Sequence, residues 1–88
     1  MMPIYPPLHP GQHIKQALID DEGLSLQEAA ERLGITATFL MSLIDGKTRI
    51  TPEMALRLSR LLGSSLEAWL KLQADYDAWR QAQNAFSL

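Results

Sequence analysis

Few residues of this chain could make or break a covalent bond. His9 and His13 stand four apart, a spacing that can set two metal ligands on one helix face. Pro10 lies between them, which puts His9 at or before a helix start. No third ligand is evident, since Asp20 and Asp21 lie two turns further on. Both histidines are expected at the surface, and the run Asp20-Asp21-Glu22 reads as a solvated helix end. There is no cysteine, no phosphate-cradling glycine loop and no convincing acid–base pair, so no enzyme, metal site or cofactor is expected. What remains is hydrogen bonding and charge. Thr36, Thr38 and Ser42 carry hydroxyls, Ala37 and Met41 add small apolar contacts, and a basic loop, Lys47-Thr48-Arg49-Ile50, follows. Such groups suit contact with base edges and phosphates.

These residues sit in a stretch of two short helical patterns, residues 24–47, LSLQEAAERLGITATFLMSLIDGK. In the first pattern Leu26, Ala29, Ala30 and Leu33 fall at i, i+3, i+4 and i+7, one apolar helix face. Ser25 caps its start, and Glu28 completes a capping box. Gly34 breaks the helix, because glycine takes the left-handed conformation needed just past a helix end. Thr36 caps the second helix, Leu40, Leu43 and Ile44 give its apolar face, and Asp45-Gly46 ends it. Two helices across so short a turn form a helix-turn-helix, whose second helix lies in the DNA major groove. Periodicity alone leaves a plain helical hairpin inside a bundle equally open. In the DNA-binding geometry Thr36, Ala37, Thr38, Met41 and Ser42 would meet base edges. Lys47, Thr48 and Arg49 would meet phosphates, with Gln27 and Arg32 as secondary contacts. Phe39 is expected to pack against a neighbouring helix.

The remaining segments enclose this unit. Residues 1–9 are rich in proline and read as an extended arm, on which Ile4, Tyr5 and Leu8 could pack against a partner. Pro10 opens a first helix with Ile14, Ala17 and Leu18 facing inward. Thr51-Pro52-Glu53 starts a fourth helix, with Met54, Ala55, Leu58, Leu61 and Leu62 apolar. Gly63 stops it, and Ser64 with Glu67 reads as a second capping box. A last helix is expected over residues 65–83, before a loose tail at 84–88. Its first apolar patch is Leu66, Trp69 and Leu70. A second, rotated patch is Leu72, Tyr76 and Trp79, expected as a dimer or partner interface because large exposed aromatic patches usually mark contacts. The fold class is all-α: five helices, no strands, one domain over residues 10–83.

Composition bounds the rest. Eighty-eight residues support one small core. No signal peptide or membrane span is evident, so a cytoplasmic protein is expected. Eight Lys and Arg face ten Asp and Glu, a net charge of −2, so any basic face for DNA must be local.

Four segments resemble a known family, the HigA branch of the lambda-repressor-like (XRE) helix-turn-helix antitoxins. They are His9-Pro10-Gly11, EAAERLGI at 28–35, GKTRITPEMALRLSRLLGSS at 46–65 and EAWLKLQADYDAW at 67–79. The resemblance implies a five-helix lambda-repressor-like DNA-binding domain that forms a homodimer. It implies binding to a palindromic double-stranded DNA operator and repression of the shared operon. It also implies a partner, a HigB-type RNA-cleaving toxin, which the chain would neutralise. The toxin surface is expected either on the arm, His9 and first helix or on the last helix with Tyr76 and Trp79. One departure stands out: the family often carries arginine at the positions of Ala37 and Ser42. Two alternatives therefore stay open: a solitary XRE-type regulator without a toxin, and a protein-interaction module with weak DNA binding.

Overall fold

Each helix start in this chain is set by a side chain that satisfies backbone N–H groups left without partners in the first turn. The structure, a computed structural model, describes residues 7–85. The expectations for Ile4 and Tyr5 and for the tail beyond residue 85 lie outside those residues. Helix α1 (Pro10–Ile14) continues as a π-helical segment (Lys15–Asp21). It is followed by α2 (Leu26–Leu33), α3 (Ala37–Ile44), α4 (Pro52–Leu62) and α5 (Leu66–Ala85). Among the described residues there is no strand.

Ser25 Oγ accepts the Glu28 N–H at 3.1 Å while Glu28 Oε1 accepts the Ser25 N–H at 3.2 Å, so the capping box on α2 forms in both directions. Those bonds hold the exposed Glu28 carboxyl below its usual value. Thr36 caps α3 through the Phe39 N–H at 3.0 Å, and Thr51 caps α4 through the Met54 N–H at 3.3 Å. Helix α5 corrects the sequence reading by one residue. Ser65, not Ser64, accepts from the first turn, through the Ala68 N–H at 3.1 Å. Ser64 Oγ instead accepts the Trp69 indole N–H at 2.7 Å, a partner that a buried tryptophan requires. Helix α5 also runs to Ala85, so the first two residues of the expected loose tail are helical.

The π-helical segment is absent from the sequence reading. Its wider turn brings the fifth residue onto the same face, and Lys15 Nζ lies 3.2 Å from Asp20 Oδ2, a pairing that α-helical spacing does not give. Ile14 and Leu18 remain fully inside.

The core joins all five helices. Ile14 and Leu18 meet Ala29, Ala30 and Leu33 of α2, Leu40, Leu43 and Ile44 of α3, Met54, Ala55 and Leu58 of α4, and Trp69 of α5. Two glycines are dictated by this packing. Gly11 brings the α1 backbone against the end of α3, where a Cβ would collide with the Leu43 carbonyl oxygen. Gly34, at φ 72°, makes the left-handed turn between α2 and α3. That turn is held from α4: Arg57 Nη1 donates to the Leu33 carbonyl at 3.0 Å, satisfying a free acceptor at the negative end of α2.

Candidate nucleic-acid interface

Helix α3 is short, and one of its faces is fixed in the core by Leu40, Leu43 and Ile44. The opposite face therefore carries whatever the helix presents outward. Ala37, Thr38, Met41 and Ser42 line one concavity of about 420 Å³, together with Leu26, Asp45 and Lys47. The structure thus groups four of the five expected base-reading residues with the leading phosphate candidate. Thr38 is exposed, and Met41 is 41% exposed. Thr36 stands at the helix start, where its oxygen is engaged in the cap.

The hydroxyls are less free than their residue types suggest. Ser42 Oγ donates to the Phe39 carbonyl at 2.6 Å and accepts from Thr48 Oγ1 at 2.8 Å. Thr48 therefore ties the following loop to α3. Ser42 keeps one acceptor site toward a base amino group, and Thr38 keeps both functions.

The expected phosphate contacts divide. Lys47 is exposed at the edge of the concavity, and Gln27 is exposed near the start of α2. Arg32 is not brought to this group. It sits in the last turn of α2, in a separate groove with Arg57 and Arg60. Arg49 is already engaged: its Nη1 lies 2.6 Å from Asp77 Oδ2 on α5, because the loop after α3 packs along that helix. Phe39 lines a cleft with Met54 and Arg57 of α4 and remains 39% exposed.

The second patch on α5 is less open than expected. Leu72 packs against the core. Tyr76 is half-buried, with its ring edge-on to His9 at 4.9 Å between centroids, and Trp79 lies 6.0 Å further along. His9 corrects the surface reading outright. It is 8% exposed, its Nδ1 accepts the Gly11 N–H at 3.0 Å to cap α1, and its ring lies over Gly46. Burial pushes its imidazole below the usual value; Asp77 acts against this shift and Arg80 with it. His13, four residues on, is half-buried and separate from it. Among the described residues no group of three or more His, Cys, Asp and Glu could hold a metal ion.

The groups that hold α3 in place were missed from sequence. Gln12 Nε2 donates to the Ile44 carbonyl at 3.0 Å and closes the C-terminal end of α3. Gln73, 3% exposed on α5, accepts the Ile50 N–H at 2.8 Å and donates to Asp77 Oδ1 at 3.0 Å. One signal pointed to Gln73: it lies four residues after Trp69, a polar side chain on an inward stripe.

The helix-turn-helix family profile matches residues 14–69. The chain belongs to the helix-turn-helix family. This is a family of DNA-binding regulators and antitoxins, not of enzymes. One relative, the uncharacterized HTH-type transcriptional regulator YddM of Escherichia coli K12, is 40% identical over 74 residues, covering 84% of this chain and 74% of its own length. Among solved structures, an addiction module antidote protein of the HigA family from Coxiella burnetii superposes with a TM-score of 0.86 at 30% identity, over 92% of this chain and 88% of that one. The Pseudomonas aeruginosa antitoxin HigA, solved with the higBA promoter, superposes with a TM-score of 0.80 at 28% identity, over 90% and 87%. This helix-turn-helix protein thus shares its all-helical lambda-repressor-like fold with HigA-family antitoxins. Among its described residues no helix is long and apolar enough to cross a membrane.

Proposed function

We propose that this helix-turn-helix protein binds a palindromic operator as a homodimer, inserting α3 into the major groove, and represses its own operon. The observation that carries the reading is the single concavity shared by Ala37, Thr38, Met41, Ser42 and Lys47, in a fold like that of the HigA antitoxin solved with its promoter. Base readout here uses no arginine, since residues 35–46 contain neither Lys nor Arg. Thr36, Thr38 and Ser42 supply hydrogen bonds, and Ala37 and the threonine methyls supply contacts to thymine methyls. The preference then leans toward A·T pairs and depends on DNA shape. Lys47 contacts phosphate, and Gln27, Thr48 and Arg49 add further contacts. Arg32, from its separate groove, contributes least. The second subunit docks along α5 near Leu72, Tyr76 and Trp79. A cytoplasmic location goes with this role.

The finer part of the proposal is that the chain neutralises a HigB-type RNA-cleaving toxin. Its support is the likeness to HigA-family antidote proteins. The toxin surface is assigned to the His9 end of α1 or to the Tyr76–Trp79 end of α5. Co-expression with the product of the neighbouring gene tests it: the reading expects co-purification and rescue of growth. A second reading, a solitary regulator without a toxin, is favoured by the likeness to YddM, itself named a transcriptional regulator. No complex and no rescue, with operator binding retained, would select it.

A further inference from the structure

The loop after α3 is tied down on both sides. Thr48 Oγ1 donates to Ser42 Oγ on α3 at 2.8 Å, and the Ile50 N–H donates to Gln73 Oε1 on α5 at 2.8 Å. Gln73 passes the connection on, since its Nε2 donates to Asp77 Oδ1 at 3.0 Å. The other oxygen of the same carboxylate, Oδ2, holds Arg49 Nη1 at 2.6 Å. One oxygen of Asp77 is thus committed to the buried amide that fixes the loop. The other is committed to an arginine beside the phosphate-contacting lysine.

The two commitments differ in strength. The Gln73 bond is made from a side chain that is 3% exposed. The Arg49–Asp77 pair is open, with side-chain exposures of 67% and 31%. An ion pair in that setting is screened by salt and contributes little, so a competing anion can take the guanidinium. A DNA phosphate is such an anion, and it offers Arg49 a two-pronged partner. Space for it exists: the pair borders a groove of about 570 Å³ that is also lined by Lys47 and Arg80. Among the described residues neither of those two makes an ion pair.

We propose that Asp77 is a positioning residue that limits DNA affinity: it holds the Arg49 guanidinium in the free protein and competes with phosphate for it. The inference rests on the DNA-binding reading above. In the free protein Arg49 stays with Asp77. On binding, it exchanges that carboxylate for a phosphate, and Asp77, anchored by Gln73, is left to solvent and salt. The chain so keeps weak contacts to DNA in general and leaves discrimination to α3.

The test uses the full chain and two labelled duplexes, one from upstream of its own coding sequence and one of scrambled sequence, titrated by fluorescence anisotropy over a range of salt. Asp77→Asn keeps an acceptor for Gln73 and removes the competing charge. It is expected to tighten binding to both duplexes by about two- to fivefold, the worth of an exposed ion pair. Its plot of log affinity against log salt is expected to steepen, by up to about 0.9, because no vacated carboxylate then takes up a cation to offset the one that Arg49 releases from phosphate. Asp75→Asn makes the same charge change on the same helix, away from Arg49, in a residue paired with Lys71. It is expected to leave the slope unchanged. In an Arg49→Gln background the gain from Asp77→Asn is expected to vanish. Equal gains from Asp75→Asn and Asp77→Asn, or a gain that survives without Arg49, would overturn the proposal and leave the DNA reading intact. No binding of either duplex by the unaltered chain at low salt would overturn the DNA reading, and this proposal with it.

Discussion

Replacing Gln73 with methionine removes the one side chain that answers the Ile50 backbone N–H. Methionine matches the length and fills the same space, so packing changes little. Ile50 is 3% exposed, which leaves its N–H no access to water once Gln73 Oε1 is gone. An orphaned buried donor costs about 1–3 kcal/mol. The lost bond from Gln73 Nε2 to Asp77 is partly offset, because Asp77 is open enough to be solvated. A net loss of about 2 kcal/mol is a large share of the roughly 4–13 kcal/mol expected for a domain of this size. At about 4–8 °C per kcal/mol, the melting temperature falls by about 8–16 °C. Circular dichroism melts of the two proteins at one pH and salt measure it, and amide exchange at Ile50 locates it. Asp77→Ala separates the contributions, since it leaves Gln73 Oε1 to accept from Ile50 and removes only the partner of its Nε2. It is expected to fall between the two. A methionine variant that melts within about 2 °C of the unaltered chain would show that the Ile50 N–H does not depend on Gln73.

Three other outcomes are expected. Lys47→Ala weakens binding to specific and scrambled duplexes alike and reduces the salt slope by about 0.9; anisotropy titrations at several salt concentrations measure it. Gly11→Ala forces α1 away from the Leu43 carbonyl and destabilises the fold by more than about 2 kcal/mol, in the range of an overpacked core, read by urea denaturation. Stability also falls as pH drops from 7 toward 5. The His9 value is held below 6.5 by burial, so in that window the unfolded chain takes up a proton that the native chain resists. The contribution is intact above 6.5 and is lost as pH falls through the folded value. Melting temperatures across this range check it, and His9→Asn, which retains a capping oxygen, flattens the dependence.

The parts of this fold that the sequence announces are local. Ser25 with Glu28, Gly34, Thr36 and Thr51-Pro52 act within a few residues of themselves, and each does in the structure what its type predicts. The parts it conceals depend on elements far apart in the chain. Arg57 reaches the end of α2 from α4, Gln12 closes α3 from α1, and Gln73 fixes residue 50 from α5. No periodicity encodes those contacts, although Gln73 on an inward stripe marks one of them. His9, at the start of α1, carries no periodic mark of burial in the sequence; its burial comes from Tyr76 and Gly46. The choice of Ser65 over Ser64 likewise follows from Trp69, whose indole N–H claims the first serine. At the candidate interface the residue types were legible, but their commitments were not. Ser42, Thr48 and Arg49 look free in the sequence, and each is engaged by a neighbour.

The proposed role of α3 and the loop after it is to read operator DNA. The most direct measurement compares the affinity of the full chain for the duplex upstream of its coding sequence with that for a scrambled duplex, at low and moderate salt. Binding to both is expected at low salt, with a preference for the upstream duplex that persists as salt rises and is lost in Thr38→Ala with little change in salt slope. Equal affinity for the two duplexes at every salt concentration, or no binding to either, would contradict it.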